Sequence, residues 1–166
     1  MDKRKTLGQY MTPDHIAVLL AQQIPSSISS AIDFAAGNFS LLNAVEKLHK
    51  NIKLYGFEID LNFHEEGKQT LPTALVQIGD GLTTELPLLN SGLAVVGNPP
   101  FTETNPTPQM ESILESAFPG LHTKQGRKRL ELYFFARSLL TAKKFKGYVT
   151  ILMPMNFADG DIYPPK

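Results

Sequence analysis

The stretch Leu93-Ala94-Val95-Val96-Gly97-Asn98-Pro99-Pro100-Phe101 joins two opposite kinds of sequence. Its first half is apolar and partly β-branched, as a buried strand requires, and its second half ends that strand abruptly. Two consecutive prolines pin a stiff backbone directly after the strand. Asn98 offers a side-chain carbonyl there, and Pro99 offers a backbone carbonyl with no N–H of its own to compete. Such a pair of acceptors suits a planar NH₂ group, with Phe101 as a flat face for stacking. Taken alone, a rigid loop with a packed Phe would read the same way.

Working outward, the same grammar recurs. Ala31–Phe34 is a short apolar run closed by Ala35-Ala36-Gly37-Asn38, Lys53–Phe57 is followed by the acids Glu58 and Asp60, and Ala74–Ile78 ends at Gly79-Asp80-Gly81. Tyr148–Met153 is a final strand closed by Pro154. Helical spacing falls between these runs. Thr12-Pro13-Asp14 reads as an N-cap, a proline at the first helical position and a first-turn acid, opening a helix that ends before Pro25. Further helices are expected over 39–50, Asn62–Thr70 and, most strongly, Arg129–Lys144. Strands alternating with helices predict an α/β fold, a parallel sheet with helices on both faces. In such sheets ligands bind outside the carboxyl ends of the strands. Asp33, Glu58, Asp80 and Asn98 each follow an apolar run, so a shared cleft is expected.

The chain has 166 residues, 42% of them hydrophobic and 19% charged, which suits one globular domain. It contains no Cys, which excludes a disulfide scaffold, Cys-ligated zinc and a thiolate nucleophile from this chain. The first thirteen residues carry charge with no apolar run behind them, so no secretory signal is expected. No stretch approaches the ~18 apolar residues of a membrane span. A cytoplasmic domain without a membrane partner is the expectation, and no metal site is read. Sixteen basic residues balance sixteen acidic ones, yet the charge is uneven. Between Leu121 and Thr150 stand Lys124, Arg127, Lys128, Arg129, Arg137, Lys143, Lys144 and Lys146 against Glu131 alone, and Lys3-Arg4-Lys5 opens the chain. A solvated helix face accounts for such a run, and so does contact with a polyanion, with Lys124, Arg127, Lys128 and Arg129 as the candidate contacts.

Three positions describe a ligand. Asp33-Phe34-Ala35-Ala36-Gly37 is a small-residue turn where backbone N–H groups can approach closely. Glu58 stands where an acid can accept both hydroxyls of a ribose, and Asp80 where a carboxylate can accept from an exocyclic amine. An ordinary strand-to-helix turn, a solvated strand end and a simple turn are the plain alternatives. Together they suit an adenosine-containing ligand better than a phosphate, and no GxxxxGK[ST] loop is present.

These residues, in this order, resemble the catalytic domain of S-adenosylmethionine-dependent DNA adenine-N6 methyltransferases of restriction–modification systems. Asn98-Pro99-Pro100-Phe101 resembles that family's [DNS]-P-P-[YFW] motif, and Gly8-Gln9-Tyr10-Met11-Thr12-Pro13 the cofactor motif that precedes the first strand in the γ-type order. Asp33–Asn38 is similar to its glycine-bearing motif, Phe57–Asp60 to its ribose acid and Gly79-Asp80 to its adenine-binding acid. The resemblance implies a Rossmann-like class I methyltransferase sheet with S-adenosylmethionine as cofactor, held by Gln9, Tyr10, Thr12, Asp33, Ala35, Gly37, Glu58 and Asp80. It implies catalysis by Asn98, Pro99, Pro100 and Phe101 on an adenine turned out of DNA. Methyltransferases of protein glutamine side chains use a similar N-P-P-[YF] loop, because a carboxamide makes like demands. A non-catalytic remnant or subunit that binds a partner is the third reading.

Two departures set further expectations. Phe39 stands where the family usually has another Gly, which predicts crowding at the methionine end of the cofactor. The sequence closes after Tyr148–Met153 without the family's last strands or its target-recognition domain. The expectation is therefore one incomplete catalytic domain over 1–166, with a second polypeptide supplying recognition.

Overall fold

A computed structural model describes residues 10–121 and 128–154. Helix α1 (Asp14–Ala21) leads into β1 (Ser30–Asp33), α2 (Ser40–Leu48), β2 (Lys53–Glu58), α3 (Leu61–Thr70), β3 (Leu75–Ile78) and β4 (Leu93–Gly97). There follow β5 (Glu103–Thr104), α4 (Pro108–Ala117), β6 (Lys128–Arg129), α5 (Leu130–Phe145) and β7 (Tyr148–Ile151). Five strands form a parallel sheet in the order β3-β2-β1-β4-β7. The chain leaves β1 toward β2 on one side and returns beyond it to β4 on the other. That reversal opens a crevice at the carboxyl ends of β1 and β4.

The apolar runs are continuous because both faces of the inner strands are covered: every residue of β1 and β4 is buried. Alternate residues then divide between two cores. Ala31, Leu54, Val76, Ala94 and Val96 pack with α1 and α2 through Ala17, Ala21, Leu42 and Val45. Ile32, Tyr55, Phe57, Leu93 and Val95 pack on the other face with Met110 and Leu114 of α4 and Leu132, Tyr133 and Ala136 of α5. The edge strand β3 exposes Leu75 and Ile78, which have one covered side.

Two local expectations need correction, and one region held elements that no reading of the sequence assigned. Thr12 does not cap α1: the helix begins after Pro13, with no side-chain cap bond. The segment between β4 and α5 holds α4 and the antiparallel pair β5–β6, neither of which the apolar periodicity announced. Phe39 does not crowd the crevice. It is fully buried in the α1–α2 core, edge-on to His64 with ring centroids 5.9 Å apart. To reach there it adopts φ 64°, a left-handed conformation costly for an aromatic residue. Gly67 of α3 makes room, because a Cβ at that position would overlap the Phe39 ring.

Candidate functional site

The crevice at the carboxyl ends is a cavity of about 360 Å³, within the range of small-molecule sites. Its near wall comes from the ends of β1 and β2. Asp33 is 2% exposed and its Oδ1 accepts from the Ala35 N–H at 2.9 Å. Burial, reinforced by the charge of Glu58 and opposed by that N–H, pushes the Asp33 carboxyl up to about 7. Glu58 is 4% exposed and spans the turn: Oε2 accepts from Gly37 N–H at 2.6 Å and Oε1 from Asp60 N–H at 2.8 Å. Burial raises its pKa against the opposing pull of the Asp60, Gly37 and Ile59 N–H groups. Asp60 itself caps α3, accepting from Asn62 N–H at 2.8 Å. Gly37 adopts φ +55°, and a Cβ there would press on the Met11 sulfur at 3.3 Å. Both favour glycine at this turn.

The far wall begins at Asn98. Its Nδ2 donates to the Tyr10 carbonyl at 2.8 Å and to the Thr12 hydroxyl at 3.1 Å. A carbonyl oxygen can only accept, so this contact settles which end of the amide is nitrogen. Oδ1 is buried and has no hydrogen-bond partner among the described residues. Buried polar atoms are nearly always satisfied, so an orphaned acceptor on a residue of the cavity wall is a functional signal. The segment before α1 thus aims the carboxamide that follows β4.

Tyr10, Thr12, Asp33, Ala35, Gly37, Glu58, Asp80, Asn98 and Pro100 all line the cavity. Pro99 is buried behind it, lining a small adjoining crevice with Gly97 and Ile151. Phe101 is half-buried and is not among the lining residues, so the structure does not place its ring as the expected stacking face. Gln9, Lys124 and Arg127 lie outside the described residues. Lys128 corrects the reading of a phosphate contact: its side chain is 12% exposed and its ammonium is paired with Glu111. The Arg129 side chain is 42% exposed, and its Nε donates to buried Glu131 at 2.7 Å.

Sequence reasoning missed Met11, Phe34, Ile59 and Leu82 on the near side and Thr104, Asn105, Thr107, Met110, Leu130 and Phe134 on the far side. For the far group a signal was present. Thr107-Pro108 followed by Glu111 is a helix start, and the Thr107 hydroxyl accepts from Met110 N–H at 3.3 Å. Among the described residues no group of three or more His, Asp or Glu is placed to hold a metal ion, and no helix is long and apolar enough to cross a membrane.

No protein-family model and no curated protein matches the sequence. Solved structures do match. A Listeria monocytogenes protein assigned to the class I S-adenosylmethionine-dependent methyltransferases superposes with a TM-score of 0.68 at 20% identity, over 92% of this chain and 49% of its own. The methyltransferase subunit of a type I restriction–modification system from Streptococcus thermophilus superposes with a TM-score of 0.62 at 16% identity, over 82% of this chain and 33% of its own. The chain therefore spans half or less of the length of each. Its fold is the Rossmann-like α/β fold of class I methyltransferases.

Proposed function

We propose that the chain is the catalytic portion of an S-adenosylmethionine-dependent methyltransferase acting on adenine N6 in DNA, within a restriction–modification system. The observation that carries this reading is the cavity-lining carboxamide of Asn98, whose Nδ2 is held by Tyr10 and Thr12 while its buried Oδ1 has no partner among the described residues. The near wall fits the cofactor. Glu58 keeps lone pairs for ribose hydroxyls beyond its two backbone bonds, Asp80 can accept from the adenine amine, and Gly37 leaves the turn open to close approach. When bound, S-adenosylmethionine supplies a methyl group on positively charged sulfur, electrophilic toward a neutral nitrogen.

An adenine amine is a poor nucleophile because its lone pair is delocalised into the ring. Asn98 Oδ1 would accept one of its hydrogens, which favours a pyramidal nitrogen with its lone pair free. The Pro99 carbonyl, which the motif offers as second acceptor, belongs to a residue buried behind the cavity. Because Nδ2 is already held, the carboxamide pays no reorganisation when the amine arrives. This is positioning plus electrostatics. A base must leave the duplex to reach the cavity. The structural likeness to a restriction–modification methyltransferase subunit agrees with DNA as partner and with recognition supplied by a second polypeptide.

The experiment is transfer of labelled methyl from S-adenosylmethionine to duplex DNA and, in parallel, to glutamine-containing peptides. Label in adenine N6 is the expected result. Label in the peptides and none in DNA would overturn the substrate assignment.

A further inference from the structure

Arg137 of α5 is half-buried and does not line the cavity. Its guanidinium carbon lies 4.9 Å from the Phe34 ring centroid and 5.9 Å from that of Phe57, two rings stacked within 6° of parallel. Its Nη2 donates to the carbonyl of Thr84. Taking a guanidinium out of water is costly, and here its hydrogen bond goes to a neutral backbone group. That cost calls for a purpose.

The purpose lies in what the two contacts connect. Asp80 opens a closed turn: its Oδ1 accepts from Leu82 N–H at 2.8 Å and Oδ2 from the Thr83 hydroxyl at 3.3 Å. Its carbonyl accepts from Thr83 N–H at 3.1 Å and Thr84 N–H at 2.9 Å. The turn is pressed against the end of β1, since a Cβ at Gly81 would overlap the Phe34 carbonyl. Arg137 holds the far end of that turn through Thr84 while lying on the ring of Phe34. Asp80 is also close enough to act on the guanidinium electrostatically. A flat, forked cation can stack and donate at once, which an ammonium cannot do as well.

We infer that Arg137 is a positioning residue that clamps the Asp80 turn onto the end of β1 and so sets where that carboxylate meets the amino-purine end of the ligand. The effect on ligand rests on the cofactor reading above, whereas the effect on the turn does not. Both are therefore measured. Hydrogen exchange of the ligand-free chain should show faster exchange at the Leu82, Thr83 and Thr84 amides in Arg137→Met, with protection in β4 and mid-α5 unchanged. Calorimetry with S-adenosylhomocysteine should show binding weakened about tenfold, the scale of one charged hydrogen bond. In an Asp80→Asn background the same change should weaken binding little further, because the two act as a unit. Arg137→Lys, which keeps the charge without the fork, should fall between wild type and Arg137→Met, and it serves as the test should Arg137→Met fail to fold. Unchanged exchange at the three amides, or loss of protection throughout α5, would overturn the clamp. Fully additive losses with Asp80→Asn would overturn its route through that carboxylate. Faster exchange at the turn in a chain that binds no S-adenosylhomocysteine would uphold the clamp and defeat the cofactor reading.

Discussion

The dipeptide Thr-Pro begins two helices of this molecule, and its threonine does different work in each. At Thr107-Pro108 the hydroxyl accepts from Met110 N–H and caps α4. At Thr12-Pro13 the same start signal precedes α1, yet the helix has no side-chain cap bond and the hydroxyl accepts from Asn98 Nδ2 instead. An unfilled cap costs a helix about 1 kcal/mol. In α1 Pro13 takes the cap position, so Thr12 stands one residue outside the helix and its hydroxyl bonds a side chain 86 residues away at the site. That bond joins the segment before the first strand to the loop after the fourth and fixes the Asn98 carboxamide by its nitrogen end.

The largest effect expected is at the residue Thr12 serves. Asn98→Ala should leave the fold intact and lower methyl transfer by about 10²–10³, the loss typical of one preorganised polar contact at a reacting centre. Activity within a few-fold of wild type, measured with whatever partner restores it, would refute its role. Next come the carboxylates of the near wall. Glu58→Ala and Asp80→Ala should each weaken cofactor binding by about one to two decades, since a hydrogen bond to a charged group is worth roughly 1.5–3 kcal/mol. Calorimetry showing equal affinities would remove both from the binding site.

Asp33 contributes in the opposite sense, to stability. Its folded pKa of about 7 lies above the ordinary 3.8. Between those values the folded protein holds a proton that the unfolded chain has lost, so stability falls as pH rises through the window and stays low above it. Asp33→Asn should remove that slope and raise Tm at pH 8 by about 5 °C or more, given ~1.4 kcal/mol per unit and ~2–4 °C per kcal/mol at this size. Thermal melts from pH 4 to 8 with parallel curves would contradict the assignment. The smallest effect belongs to the capping threonine. Thr107→Ala should cost about 1 kcal/mol in denaturant unfolding.

The same contrast explains what could be read from the sequence. The inner strands β1, β2 and β4 were legible because burial on both faces leaves unbroken apolar runs. The edge strands β3 and β7 were legible by their own short apolar runs, and each polar residue that closes a run lands at the carboxyl edge. Asp33, Glu58, Asp80 and Asn98 reach one cavity for that reason. The far wall was not legible in this way. β5 and β6 are two residues each, too short for alternation to show, and α4 buries just Met110 and Leu114. Phe39 misled because motif spacing records which residue stands at a place, and says nothing of where its ring points. A left-handed backbone and the missing Cβ of Gly67 turn that ring into the core. Thr12 misled because a cap signature is local, while its real partner is supplied by the fold.

The measurement that tests this account most directly is a double-mutant cycle between Thr12→Val and Asn98→Ala in single-turnover methyl transfer, with melting temperatures recorded alongside. Thr12→Val alone should slow transfer by about tenfold, as expected for losing one of the bonds that aim the carboxamide, while leaving Tm close to wild type. In the Asn98→Ala background it should cost almost nothing more, because the group it aims is gone. Losses that simply add, or a Thr12→Val variant that melts early and transfers at the wild-type rate, would contradict the claim that the Thr12 hydroxyl aims Asn98.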